Sequence, residues 1–266
     1  MRSHAERGNE LVRANIRRIG TRYENITKPV GGGDWYVFFC FAGIAAILST
    51  QDPINSGAGI VGIALAHGLA LSVAVNAFGG VSGAHFNPAV TVGMLVTGRI
   101  KVDRAVQYIL AQLVGGTVAA WACHSFFPAA AVTSAKLGIP LPGAGNMPGT
   151  EGAWLTVPIL LAVEFVLAFM LMTAVFGTAV DERGKAVNIG GFAIGLTLTF
   201  DILAGGAITG ASVNPARSFG PALVYQWTGG EGAFDLHWCY WLAPIAGAVV
   251  AAVIYDKLIL GSEGNG

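Results

Sequence analysis

Asn87-Pro88-Ala89 and its second copy, Asn214-Pro215-Ala216, decide how the rest of the chain is read. With their flanks they are Ser82-Gly83-Ala84-His85-Phe86-Asn87-Pro88-Ala89-Val90-Thr91-Val92-Gly93 and Thr209-Gly210-Ala211-Ser212-Val213-Asn214-Pro215-Ala216-Arg217-Ser218-Phe219-Gly220, identical at six of twelve positions with a constant offset of 127 residues. A tripeptide recurs by chance, but a twelve-residue frame repeated half a chain apart marks an internal duplication. Asn followed by Pro is a helix start: the Asn side chain caps free backbone N–H groups, and Pro fits the first helical position because its missing N–H costs nothing there. The apolar stretches that follow, 87–97 and 214–225, are about half the ~20 residues needed to cross a bilayer, a length suited to re-entrant segments that enter and leave on one side.

The solvent for such segments follows from composition. The chain is 54% hydrophobic and 11% charged with a mean hydropathy of +0.62, against about 45–50% apolar and about 25% charged in soluble domains. This indicates a polytopic membrane protein, with the lipid bilayer as its first partner. Cys40, Cys123 and Cys239 all lie in apolar segments, at spacings that suggest neither a metal site nor a disulfide framework. No metal, cofactor or nucleic-acid partner is expected.

Six long apolar segments fall at roughly 34–51, 57–79, 103–127, 154–178, 187–206 and 237–259, each approaching the length of a membrane span. Ala111, Gly115, Val118, Ala119 and Ala120 in the third match Ala243, Gly247, Val250, Ala251 and Ala252 in the sixth, so the duplication covers whole halves. Each half then holds three spans and one re-entrant segment. Three is odd, so the halves cross in opposite senses. The predicted fold is an all-α membrane protein of six transmembrane helices plus two re-entrant half-helices in an inverted 3+3 repeat, with its site near the midplane between halves. Ala58, Gly62, Ala66, Ala70 and Ala74 recur at every fourth position of the second segment and predict its packing face.

Charge sets the orientation. Placing both termini on one side gives that side thirteen of the fifteen Lys and Arg residues, the other side Lys136 alone, and leaves Arg217 within a half-helix. By the positive-inside rule both termini are cytoplasmic. Residues 1–33 form a basic tail that lacks the apolar core of a cleavable signal peptide. Within it Val12, Ile16, Ile19, Tyr23 and Ile26 share one helical face, which fits a helix lying on an anionic membrane surface, although a tail without fixed structure fits as well. Residues 34–259 form the membrane domain and 260–266 a short cytoplasmic tail.

Two half-helices that begin head to head would each present roughly half a positive charge from the macrodipole, beside Asn amides with donors to spare. Such a site holds a neutral polar molecule by its oxygen and repels cations.

Taken together, the paired Asn-Pro-Ala motifs, the six-span inverted repeat and Arg217 after the second motif resemble the aquaporin (major intrinsic protein) family over about residues 34–259. The resemblance implies a proton-excluding water pore, a homotetramer, and a second constriction formed by His67, Ile202, Ala211 and Arg217, matched by their distances from the motifs. His-Ile-Ala-Arg resembles the plant tonoplast subfamily more than strict water channels, implying passage of ammonia, hydrogen peroxide or urea as well as water. Ser218 stands where glycerol channels of the family usually carry Asp, and Ala222 and Tyr240-Trp241 also lie on the water-channel side. The host membrane, plasma or inner membrane as against vacuolar, is left open.

Glu164 lies within the fourth span, where a carboxylate is costly unless satisfied. The resemblance implies that it accepts hydrogen bonds from the re-entrant loop backbone, and that His85 braces the first loop. The equivalent acid of the first span is missing, its register falling at or near Gly32 with Asp34 the nearest acid. Asp201 reads as an interfacial carboxylate near the outer end of the fifth span or as an attractor of cations to the mouth. An inverted-repeat carrier is the alternative reading, but such carriers need ionisable coupling residues and the spans offer only Glu164 and Asp201. An enzyme fits less well, since no nucleophile, base and orienting group converge.

Overall fold

The computed structural model describes residues 32–49, 59–143, 155–187 and 189–261, with side chains from Cys40 onward. The basic tail, the side chain of Asp34 and residues 262–266 lie outside the described residues. The helices are α1 (Gly32–Ser49), α2 (Gly59–Ser82), α3 (Pro88–Val96), α4 (Val102–Phe126), the short α5 (Ala129–Ser134), α6 (Val157–Val175), the one-turn α7 (Glu182–Lys185), α8 (Gly190–Thr209), α9 (Pro215–Trp227) and α10 (Cys239–Ile254). Helices α6 and α10 run on through π-helical turns at Phe176–Val180 and Tyr255–Leu260.

Five helices among the described residues, Gly59–Ser82, Val102–Phe126, Val157–Val180, Gly190–Thr209 and Cys239–Leu260, are long and apolar enough to cross a membrane. At 18 residues α1 is shorter than any of these five spans, about 27 Å at ~1.5 Å per residue, still close to the thickness of the hydrocarbon core. Many of their large apolar side chains are exposed, Val73, Leu110, Val114 and Leu242 among them. In water that surface would be a liability, and in lipid it faces its own solvent.

The duplication is written in the packing. α1 lies against α4 as α6 lies against α10; α1 meets α2 as α6 meets α8; the half-helix α9 packs on α4 as α3 packs on α10. The remaining large contact joins α2 to its own repeat mate α8, and there Gly68 and Gly195 face each other. A Cβ on Gly195 would lie 2.2 Å from the Gly68 carbonyl oxygen, and one on Gly68 2.5 Å from that of Gly195. Close approach of this kind lets membrane helices gain van der Waals contact where apolar burial offers nothing.

The face of α2 that does this matches the expected stripe only at Ala74, Ala58 lying outside the described residues. Its buried residues are Ala64, His67, Gly68, Leu71, Ser72 and Ala74, whereas Gly62, Ala66 and Ala70 are only half-buried. A helix apolar all round carries several small-residue stripes, and the partner that presents a matching glycine selects one.

At the end of the bundle that carries Arg99 and Lys185, the turn between α6 and α8 is tied down. Asp181 caps α7, accepting from the Arg183 backbone N–H at 2.9 Å and from its guanidinium, while the Tyr255 hydroxyl donates to its Oδ2 at 3.1 Å. Arg99 pairs with Asp256 at 2.8 Å and sits 4.8 Å over the Phe176 ring. The hydrogen bonds from Arg183 hold the Asp181 carboxyl well below the usual carboxylate range. A depressed folded-state pKa contributes stability above the unfolded value and loses it as pH falls through the folded one. The thermal midpoint of the wild type in detergent should therefore exceed that of Asp181→Asn by a constant margin from neutral pH down to about 5, and the margin should shrink below about 4.

Candidate functional site: a cavity between opposed half-helices

Each half-helix begins as its sequence dictates. Asn87 and Asn214 are extended N-caps followed by Pro, and the cap oxygen of Asn87 accepts from Ala89 N–H while that of Asn214 accepts from both Ala216 and Arg217 N–H. The loops before them share one backbone. Gly83, Ala84 and Phe86 have φ of 77°, 47° and 49°, and their repeat mates Gly210, Ala211 and Val213 have 82°, 41° and 56°. Left-handed backbone is strained for Ala and Phe, and more so for β-branched Val, so neighbours must hold it.

The holding is reciprocal. Asn87 Nδ2 donates to the Val213 carbonyl at 2.9 Å, and Asn214 Nδ2 donates to the Phe86 carbonyl at 2.8 Å. Each cap therefore starts its own half-helix and clamps the strained loop of the other half. One Nδ2–H of each amide is used in this way, and both Asn residues line a cavity of about 1200 Å³.

Further braces lie behind the loops. Glu164, 0% exposed on α6, accepts from Ser212 N–H at 2.9 Å, Val213 N–H at 2.8 Å and the Thr209 hydroxyl at 2.7 Å. Tyr240 on α10 donates to the Thr209 carbonyl at 2.7 Å, and Tyr108 on α4 donates to the Ser82 carbonyl. Ser82 and Thr209 are repeat mates, and the register that aligns Ala111 with Ala243 also aligns Tyr108 with Tyr240. This tyrosine pair was legible in the repeat and was not singled out there; Thr209 carried no signal beyond its place in the frame.

On the first loop, His85 Nδ1 meets Thr91 Oγ1 at 3.2 Å, and the ring packs against Tyr108 with centroids 5.0 Å apart. The Thr91 hydroxyl donates to the Asn87 carbonyl and accepts from Gln112 Nε2.

The same cavity is lined by His67, Ile202, Ala211, Arg217 and His85, and runs on to Arg99, Lys101 and Lys185. Pro88, Ala89, Pro215 and Ala216 form the buried starts of α3 and α9 behind the lumen. Arg217 is held by the Gly138 carbonyl, which accepts from Nη1 at 2.8 Å. That carbonyl is aimed inward by a left-handed run at Lys136, Leu137 and Gly138, with the Leu137 side chain fully buried beside Ile44 and Leu48. Nothing local in the sequence announces this turn. His67 directs Nδ1 to the Ile63 carbonyl one helical turn back, at 2.8 Å.

Asp201 is corrected. It is neither interfacial nor at the mouth: it is 0% exposed, and both its carboxylate oxygens are without a hydrogen-bond partner among the described residues. Helix α8 ends at Thr209 rather than near 206 and leaves Asp201 in mid-helix, on a buried side that includes Leu198 and Gly205.

A membrane-length helical bundle built on an internal repeat, with two helix starts joined across the halves and one cavity lined by both Asn caps, defines a membrane channel. The chain matches the major intrinsic protein family over residues 36–255. It is similar to the probable aquaporin TIP1-2 of Oryza sativa subsp. japonica, 40% identical over 232 residues with 85% of this chain and 84% of the relative covered. It is 38% identical over 231 residues to aquaporin TIP4-4 of Zea mays (85% and 84% covered) and 36% identical over 232 residues to aquaporin TIP2-1 of Arabidopsis thaliana (85% of each). Its fold is that of the aquaglyceroporin from Plasmodium falciparum, with a TM-score of 0.77 at 21% identity, covering 89% of this chain and 97% of that one. The chain belongs to the major intrinsic protein family. It is a channel for water or small solutes and not an enzyme.

Removing Glu164 would orphan two buried N–H groups, at about 1–3 kcal/mol each. Glu164→Ala should lose most of its folded yield or osmotic flux, and Glu164→Gln, which keeps one acceptor, should fall between it and the wild type in thermal midpoint.

Proposed function

We propose that this chain is a passive pore for water that also passes small neutral solutes, namely ammonia, hydrogen peroxide and urea, and excludes protons and ions. The observation that carries the reading is the pair of Asn amides, each with one Nδ2–H given to the opposite loop and both lining one cavity between two helix N-termini. The remaining amide donors and two converging macrodipoles favour an oxygen at that point and repel cations. A water whose oxygen accepts there is turned away from its neighbours as an acceptor, which breaks a chain of proton hops.

Selection among neutral solutes falls to His67, Ile202, Ala211 and Arg217. Two members are polar and two apolar, and Ala211 has a small side chain, so the constriction suits compact solutes with one polar edge. Glu164 and His85 keep the loops in shape. The thirteen basic residues on one side support cytoplasmic termini, and a homotetramer in the membrane is what the family resemblance implies.

The test is flux through purified protein in liposomes. Water flux should rise linearly with the osmotic gradient, with no pH change across the vesicle, and urea and hydrogen peroxide should follow their gradients without saturation. Saturating, ion-coupled flux would make the chain a carrier. Ala211→Trp should return water flux to the level of empty liposomes, and Arg217→Ala should raise proton leakage while water still passes.

A further inference from the structure

The two polar members of the proposed constriction, His67 and Arg217, both bear on one stretch of α1. Ile44 and Ile47 lie against Gly138, the residue whose carbonyl holds Arg217: a Cβ on Gly138 would come within 3.2 Å of Ile47 Cδ1 and 3.7 Å of Ile44 Cγ2. One residue earlier, Gly43 lies against His67. A Cβ there would stand 2.3 Å from Nε2, 2.6 Å from Cδ2 and 2.8 Å from Cε1. All three atoms belong to one imidazole edge, and all three distances are shorter than carbon can tolerate.

We propose that Gly43 is a specificity-determining position of the channel: its missing side chain is the recess in which the His67 ring lies, and the depth of that recess sets how far the ring stands out of the lumen. This rests on the reading of His67 as a wall of the constriction.

The physics decides which side gives when the recess is filled. Helix α1 cannot back away cheaply, because Ile44 and Leu48, 2% and 1% exposed, are packed with Leu137, Val224 and Cys123 in one cluster, and Cys40 is buried in the main core. Protein interiors are close-packed and resist such displacement. The ring, by contrast, is the end of a two-torsion side chain. Its Nδ1 is tethered to Ile63 on its own helix, α1 closes the side at Gly43, and the residue lines the cavity. A methyl group at position 43 therefore drives the imidazole into the lumen and narrows it beside Arg217. Narrowing acts first on the widest permeant, so urea suffers before water.

The experiment compares wild type, Gly43→Ala, His67→Ala and the double variant in phosphatidylcholine liposomes, with water, hydrogen peroxide and urea flux normalised to inserted protein. Gly43→Ala should lose urea flux several-fold and water flux less, and the double variant should match His67→Ala in every flux. The proposal is overturned if Gly43→Ala matches wild type, or if it lowers flux by the same factor with and without His67, since the effect then bypasses the ring. Should His67→Ala itself leave all fluxes at the wild-type level, it is the reading of His67 as a wall that fails. If Gly43→Ala does not fold, recovery of folded yield in the double variant supports the clash with the ring, and failure to recover overturns it.

Discussion

Two hydrogen bonds between the halves of the chain carry the rest of the architecture: Asn87 Nδ2 to the Val213 carbonyl and Asn214 Nδ2 to the Phe86 carbonyl. Each spans more than 120 residues of sequence and joins a helix cap to a strained loop. A re-entrant segment inside a bilayer needs every backbone group satisfied, and left-handed backbone at Ala84, Phe86, Ala211 and Val213 carries further strain. Reciprocity meets both demands at one place, because the amide that starts one half-helix satisfies the loop of the other. The same arrangement leaves both Asn side chains at the lumen and both macrodipoles pointed at it.

The repeat is conserved in backbone and varied in bracing. Tyr108 and Tyr240 repeat one brace, on the carbonyls of Ser82 and Thr209. Beyond that the halves diverge. The second loop is bound to the Glu164 carboxylate through two backbone N–H groups and the Thr209 hydroxyl, and the first carries the chain Gln112–Thr91–His85. In the first half, the position corresponding to Glu164 falls at or near Gly32, with Asp34 the nearest acid. The second loop supplies Ala211 and precedes Arg217, both of which line the cavity, so its bracing also fixes two lining residues.

Arg217 shows how a charge is kept at membrane depth. It is 6% exposed, it lines the cavity, and it donates to a carbonyl that the loop between α5 and α6 delivers. A cation in such a place is expensive unless it is hydrogen-bonded and faces water. The cost is met by an irregular turn, Lys136–Gly138, whose own shape depends on the burial of Leu137 against α1. Helix α1 thus bears on Arg217 through Gly138 and on His67 through Gly43.

The sequence by itself determined what is local or repeated: the helix starts at Asn-Pro, the span lengths, the inverted duplication and the placing of Arg217 in a half-helix. These follow from cap chemistry, from the fixed rise of a helix against a fixed bilayer thickness, and from self-similarity, none of which needs a partner to be known. Tertiary structure alone decided which stripe of α2 is buried, where Asp201 lies, which carbonyl receives Arg217, and that the His67 ring rests on Gly43. In an apolar helix the sequence leaves every face equally eligible, so such choices are made by the shape of the neighbour: a glycine on α8 opposite Gly68, a glycine on α1 opposite His67.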